Sequence, residues 1–177
     1  MTSTPLLVVV TGMPAAGKST LAGELSRALA LPLIERDRIK EQLYETLGAG
    51  DSEWSSRLGA AAFALLFDHA AVLLEAGRST VVEANFFRGG AEPELAALPA
   101  HRVVQIHCSA PLELLVQRYT SRRRHRGHHD DEKVHLLRER FDRGTHGPLD
   151  LAGDLIRVDT SCPVDTAAIV ERVRASL

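Results

Sequence analysis

The sequence predicts an α/β domain, a five-stranded parallel sheet with helices on both faces. Three observations predict it. Short apolar runs alternate with helical periodicities, a glycine-rich loop joins the first strand to the first helix, and polar residues follow directly on several strands. Such sheets collect ligands at the carboxyl ends of their strands. With 177 residues the chain is long enough for one full core, and it is read as a single domain, 1–177.

The first strand is the apolar run Leu6 to Val10. It leads into Gly-Met-Pro-Ala-Ala-Gly-Lys-Ser, Gly12 to Ser19, which fits the phosphate-cradling pattern G-x-x-x-x-G-K-[ST]. Leu21, Leu25, Ala28 and Leu29 then recur at helical spacing, so the pattern stands in the strand-loop-helix context it requires. Gly12 and Gly17 allow backbone conformations that a side chain would block. The segment Gly12, Pro14, Ala15, Ala16, Gly17, Lys18, Ser19 and Thr20 is the candidate nucleotide-binding stretch. Its backbone N–H groups would face one concavity backed by the positive end of a helix. Lys18 would reach the β- and γ-phosphates and the Ser19 hydroxyl would sit on Mg²⁺. The competing reading is a chance glycine-rich turn. Against it, one of only three lysines in the chain stands at the required position.

A second strand at Leu33 and Ile34 ends at Arg36-Asp37-Arg38, and a helix follows to about Leu47 with Ile39, Leu43 and Leu47 on one face. Gly48 and Gly50 close it, and Asp51 or Ser52 caps a long alanine-rich helix that ends at Gly77. Within that helix Gly59 to Leu74 is the only membrane suspect. Asp68 and His69 interrupt it and it falls short of the ~20 residues of a span, so it reads as a buried helix of a soluble domain.

Thr80 to Ala84 and Arg102 to His107 are the third and fourth strands, with a loop and a short helix between them. Ser109 and Pro111 start a helix that turns Leu112, Leu115, Val116 and Tyr119 inward. Leu155 to Val158 is the fifth strand, and the last helix faces the core with Ile169, Val170, Val173 and Leu177.

Composition narrows the function classes. A net charge of −2 and a pI near 6.4 argue against a protein that coats nucleic acid. Cys108 and Cys162 form no motif, and Cys108 reads as a buried thiol suited to a reducing cytoplasm. No basic region precedes Leu6, so no signal peptide is expected and the localisation is read as cytoplasmic.

On the loop Gly12 to Ser19 and the strand-helix alternation, the chain resembles the small bacterial P-loop kinases. That group includes chloramphenicol phosphotransferase, zeta toxin, gluconate kinase and the kinase domain of polynucleotide kinase. The resemblance implies ATP and Mg²⁺ as cofactors. It also implies that Asp37, directly after the second strand, receives or orients the proton of an acceptor hydroxyl; capping the following helix is the other reading. Glu83 falls where the group places an acidic residue near the metal, although the usual residue there is Asp. Glu83 and Asn85 would hold a metal-bound water or contact the acceptor, and an ion pair with an arginine is the alternative. Arg88 is either directed at phosphate or an ordinary solvated arginine.

Arg118, Arg122 and Arg126 stand four apart, on one face if the helix persists, and Arg123 and Arg124 add to the cluster. The resemblance makes this a lid, at about 119–135, whose arginines close over the phosphates. A solvated basic face is the alternative. The run Arg126 to Asp130 with His125 and His135 invites a zinc reading, but its spacing matches no common zinc site. Val158 to Ser161 would line the adenine pocket, or Thr160 or Ser161 would simply cap the last helix.

The leading expectation is therefore an ATP-dependent phosphotransferase acting on a hydroxyl of a small molecule such as an antibiotic, sugar or nucleoside. A polynucleotide 5′-hydroxyl kinase is the second reading, but aromatics are only 5% of the chain, few for a stacking groove. A nucleotide-binding module without kinase activity is the third, and no lysine stands in an Asn-Lys-x-Asp guanine motif. No membrane partner is expected and no feature assigns an oligomeric state. No motif names the acceptor, whose pocket should be shaped by the second and third helices and by Glu83 to Arg88.

Overall fold

The computed structural model describes residues 4–48, 50–121 and 134–177. Its strands are β1 (Leu6–Gly12), β2 (Leu33–Glu35), β3 (Thr80–Glu83), β4 (Arg102–Ser109) and β5 (Asp154–Asp159). They form one sheet in the order β2-β3-β1-β4-β5, parallel throughout. The helices are α1 (Lys18–Leu29), α2 (Arg36–Leu47), α3 (Ser52–Glu75), α4 (Glu92–Ala96), α5 (Leu112–Ser121), α6 (Val134–Asp142) and α7 (Thr166–Arg174).

β1 is the middle strand and is buried along its whole length. Side chains alternate across a strand, so β1 feeds two cores. Leu6, Val8 and Val10 pack with Leu21 and Leu25 of α1, Leu115 of α5 and Val173 of α7. Leu7 and Val9 pack on the other face with Leu66 and Ala70 of α3, Phe86 and Leu95. The chain leaves β1 through α1 toward the β2 edge and leaves β4 through α5 toward the β5 edge. A crevice therefore opens past the ends of β1 and β4, the place where such sheets bind ligands.

Local chemistry accounts for the element ends. Asp51 caps α3 by accepting from Trp54 N at 2.8 Å, and Gly77, at φ +67°, follows its last turn. α3 runs 24 residues, longer than its apolar stretch alone, with a mean hydropathy of 1.6 in its most apolar window. By length and composition it is the one helix among the described residues that could cross a membrane. Its Leu58, Ala62, Leu66, Ala70 and Leu74 nonetheless form one buried stripe at helical spacing, and Leu66 and Ala70 join the core beneath the sheet.

Three expectations about helices need correction. Leu47 is 56% exposed and Leu177 is 42% exposed, so neither faces the core. α2 packs on α3 and its buried residue is Lys40, which leaves its last turn outside; Leu177 lies beyond the end of α7. Neither Thr160 nor Ser161 caps the last helix, because Asp165 does so by accepting from Ala168 N at 3.0 Å. α6, with Leu137 buried, was not anticipated and occupies the stretch just after the expected lid.

Gly12 is the tightest point of the fold. Its φ is +139°, and a Cβ there would stand 2.1 Å from the Cys108 carbonyl oxygen across the β1–β4 pair. Gly12→Ala is expected to destabilise the protein by about 3–5 kcal/mol, because neither backbone can yield inside the sheet. That corresponds to a fall of about 10 °C in Tm, read by thermal denaturation.

Candidate functional site

The phosphate-loop sequence closes into a tight turn between β1 and α1. Ala16 N donates to Met13 O at 3.2 Å, and Gly17, at φ +77°, stands as the residue before α1. Ala15 takes φ +67°, an orientation that costs a side-chain-bearing residue about 1–2 kcal/mol and that clusters at functional loops. The first turn of α1 thus opens toward solvent with Ser19 and Thr20 exposed and Lys18 turned inward.

Lys18 is only 6% exposed, so its ammonium needs partners. It donates to Met13 O at 2.8 Å and to Asn85 Oδ1, and lies 3.9 Å from Glu83 Oε1. Ser19 Oγ donates to Glu83 Oε2 at 3.2 Å. The register pairs Val10 with Glu83, so β3 ends two residues short of Gly12 and sets Glu83 beside the start of the phosphate loop. Glu83 is 4% exposed, and burial raises its carboxyl above the ordinary range. Lys18 and the Ser19 hydroxyl pull in the opposite direction, while Asp37 and Glu35 add to the rise.

A cavity of about 500 Å³ opens over this cluster. Pro14, Ala15, Gly17, Lys18, Ser19 and Thr20 form one side, and Glu35, Asp37, Glu41, Glu83 and Asn85 lie opposite. Gly12 and Ala16 do not line it; both are buried in the turn that shapes it. Asp37 lies inside the first turn of α2 rather than ahead of it, and the residue at the cap position is Glu35. Its Oδ1 accepts from Arg36 Nη1 at 3.0 Å.

A second cavity, about 410 Å³, shares Pro14, Asp37 and Asn85 with the first. Asp37 therefore stands on the wall between two compartments. The second is enclosed by α2 and α3, with Arg36, Lys40, Ser55, Gly59 and Phe63, and by α6 and the loop after it, with Arg140 and His146. Sequence reasoning missed Lys40, Ser55, Arg140 and His146. The one available signal was Lys40, placed a helical turn after Arg36; the others join only through tertiary packing.

His146 is 2% exposed, and its Nδ1 lies 3.0 Å from Phe86 O. A carbonyl only accepts, so Nδ1 carries the proton and Nε2 presents a lone pair, with no partner among the described residues. Burial lowers its pKa to about 4, which keeps the ring neutral near pH 7.

Arg118 lies elsewhere. Its guanidinium donates to Thr160 Oγ1 at 3.1 Å and to Thr160 O at 2.7 Å, and lines a separate cavity of about 420 Å³ with Ala15, Gly17 and Thr20. Thr160 in turn donates to Ser109 O at 3.2 Å, which ties the loops after β4 and β5 beside the phosphate loop. Arg88 is exposed and lines neither the Lys18 nor the Lys40 cavity. Arg122, Arg126 and most of the expected lid, with the histidines at 125, 128 and 129, lie outside the described residues.

The family of AAA domains designated AAA_33 matches residues 7–144. Adenylyl-sulfate kinase from Shewanella sp. (strain W3-18-1) is 34% identical over 121 residues, which are 64% of this chain and 56% of that protein. That from Shewanella baltica (strain OS185) is 32% identical over a stretch of the same extent. The chain thus spans a little over half the length of the curated relatives it matches. Among solved structures, a provisionally assigned kinase from Chloroflexus aurantiacus J-10-fl is 37% identical, with a TM-score of 0.88 over 99% of this chain and 97% of the other. A sugar kinase from Janibacter sp. HTCC2649 shares the fold, with a TM-score of 0.65 at 19% identity over 98% of this chain and 94% of the other.

Proposed function

The chain belongs to the AAA_33 family of AAA domains and has the fold of a small P-loop kinase, and from that premise we propose that it transfers the terminal phosphoryl group of ATP to a hydroxyl of a small molecule. One observation carries the reading: Asp37 stands between the cavity over Lys18, Ser19 and Glu83 and a second cavity of similar size. A phosphoryl donor in the first and an alcohol in the second would meet at its carboxylate.

In this reading the loop from Pro14 to Thr20 binds the polyphosphate, with backbone N–H groups and the α1 dipole offsetting its charge. Lys18, held by Met13 O and Asn85, is aimed before the nucleotide arrives. Its ammonium would stabilise the charge that spreads over the transferred oxygens. Ser19 and Glu83 present oxygen donors 3.2 Å apart, the hard ligand type Mg²⁺ prefers, with Glu83 acting directly or through water. When bound, the ion would offset negative charge on the polyphosphate. Asp37 would accept the hydroxyl proton, a role worth about 10²–10⁴-fold in rate. Arg118 would border the nucleotide from the Thr160 side, and Arg122 and Arg126 would complete a lid.

Glu83 ties this chemistry to stability. Its raised pKa means the folded state holds that proton more tightly than the unfolded chain does. Its contribution therefore becomes less favourable as pH rises from the ordinary carboxylate value through its folded value. Without Mg²⁺, Glu83→Gln is expected to be at least as thermostable as the wild type at pH 8, with any advantage shrinking toward pH 4.5. The same variant should need about tenfold more Mg²⁺ for half-maximal turnover.

The reading is tested by ADP release from Mg·ATP against two panels, one of hydroxylated antibiotics, sugars and nucleosides and one of 5′-hydroxyl oligonucleotides. Acceptor-dependent release with a small molecule is expected. Release with oligonucleotides alone would replace this reading with a polynucleotide kinase.

A further inference from the structure

We propose that the outward face of α3 pairs two copies of this chain, with the two helices antiparallel about a two-fold axis at the height of residue 63. α3 carries a stretch of mean hydropathy 1.6, yet only 33% of that stretch is buried. Its inner side supplies the stripe from Leu58 to Leu74, and Ser55, Gly59 and Phe63 line the second cavity. The outer side is the row Trp54, Arg57, Ala61, Leu65, Asp68 and Val72. Arg57, Ala61 and Asp68 are exposed, Val72 is 56% exposed, and Trp54 and Leu65 are half-buried. A single exposed aliphatic residue is ordinary; an apolar row along one helix marks a contact surface.

Charge and size choose the occupant. Within the row Trp54, Ala61 and Asp68 recur every seven residues, as do Leu65 and Val72, which is the repeat of a helix-pairing seam. In a two-fold contact residue i meets j and j meets i, so the face must be its own complement. A parallel pair would set Arg57 on Arg57 and Asp68 on Asp68. The antiparallel pair sets Trp54 on Val72 of the second copy, Ala61 on its Leu65, and Arg57 beside its Asp68, each contact made twice. Large side chains thus meet smaller ones, and opposite charges flank the apolar centre. The Arg57 guanidinium lies 5.6 Å from the Trp54 ring centroid, and neither Arg57 nor Asp68 has an ion-pair partner among the described residues. Ala61 and Ala64 let the axes approach to about 8 Å. A membrane suits the face less well: interfacial helices present lysines and arginines beside their apolar side, whereas this row carries Asp68, with Glu53 and Glu75 exposed at the helix ends. The seam from Trp54 to Val72 is about 27 Å long, a contact at the small end of specific interfaces, so the pairing is reversible at micromolar concentrations.

Sedimentation equilibrium of the full chain, from about 1 to 300 µM, tests the pairing without any nucleotide or acceptor. The expected result is a monomer–dimer equilibrium. Arg57→Asp and Asp68→Arg should each weaken it by about fivefold or more, because each sets like charges together at both ends of the seam. The double variant Arg57→Asp with Asp68→Arg restores opposite charges in the reversed sense and should recover the wild-type dissociation constant to within about threefold. Ala61→Arg should abolish association. These positions are exposed, so the variants keep their fold, which thermal denaturation checks. A monomer across the whole range, a dimer that Ala61→Arg leaves intact, or a double variant that associates no better than the single ones overturns the proposal. So does cosedimentation of a monomer with vesicles of phosphatidylcholine and phosphatidylglycerol, which would give the face to a membrane.

Discussion

Lys18→Ala is expected to lower turnover by about 10²–10³-fold or more at saturating Mg·ATP, the cost of losing a charged group aimed at the transferred phosphoryl. The effect should fall on kcat and on kcat/KM together if the ammonium acts mainly in the transition state. A second consequence is thermodynamic. Lys18 is the cation that opposes the rise in the Glu83 pKa, so its removal lets burial push that carboxyl higher still. The stability deficit of the variant should then be largest above neutral pH and shrink as pH falls toward the ordinary carboxylate range, because protonated Glu83 no longer needs a cation. Thermal denaturation of both proteins from pH 4.5 to 8.5 reads this difference. A deficit that is independent of pH would mean that Lys18 and Glu83 are not coupled.

Asp37→Asn is expected to bind Mg·ATP about as well as the wild type while losing about 10²–10⁴-fold in kcat. The amide keeps the shape of the side chain and its place beside Arg36, but it cannot take a proton from an alcohol. Equilibrium binding of a fluorescent ATP analogue, set beside steady-state turnover, separates the two properties. Full turnover in the variant would remove Asp37 from the catalytic step and leave it a structural role. A parallel loss of nucleotide affinity would move its role from the acceptor to the phosphates.

These two residues also mark what a sequence makes legible. Lys18 belongs to a contiguous stretch, Gly12 to Ser19, whose geometry is local: the positive φ at Gly12 and Gly17 and the helix start at Lys18 follow from the residues themselves. The parallel sheet is legible for a related reason, since short apolar runs that alternate with helices imply parallel crossovers. Glu83 stood out because a carboxylate ending a core strand needs a reason, and it lies beside Lys18 and Ser19. The second cavity was legible only in outline: the second and third helices and the stretch from Glu83 to Arg88 line it, but its individual polar side chains could not be named. Lys40, Ser55, Arg140 and His146 come from two helices, a third helix and a loop, and no spacing in the chain links them.

One misplacement shows how helix phase misleads. Leu47 continues the apolar spacing of α2, yet that helix rests on α3 through its middle and its last turn is solvated. Arg118 shows what spacing leaves open: its guanidinium donates to the Thr160 hydroxyl and carbonyl and lines a cavity beside Ala15, Gly17 and Thr20, contacts that no periodicity announces. Spacing reports which residues share a face; only packing decides what that face meets.

The most direct test of phosphoryl transfer follows the phosphoryl group itself. The purified protein would be given Mg²⁺ and ATP labelled with ³²P at the γ position, together with the hydroxylated small-molecule panel, and the products separated by thin-layer chromatography. Recovery of the label as a phosphate ester of one small molecule, absent in Lys18→Ala and reduced about 10²–10⁴-fold in Asp37→Asn, is the predicted result. Label appearing only as inorganic phosphate, at the same rate with and without acceptors, would contradict it.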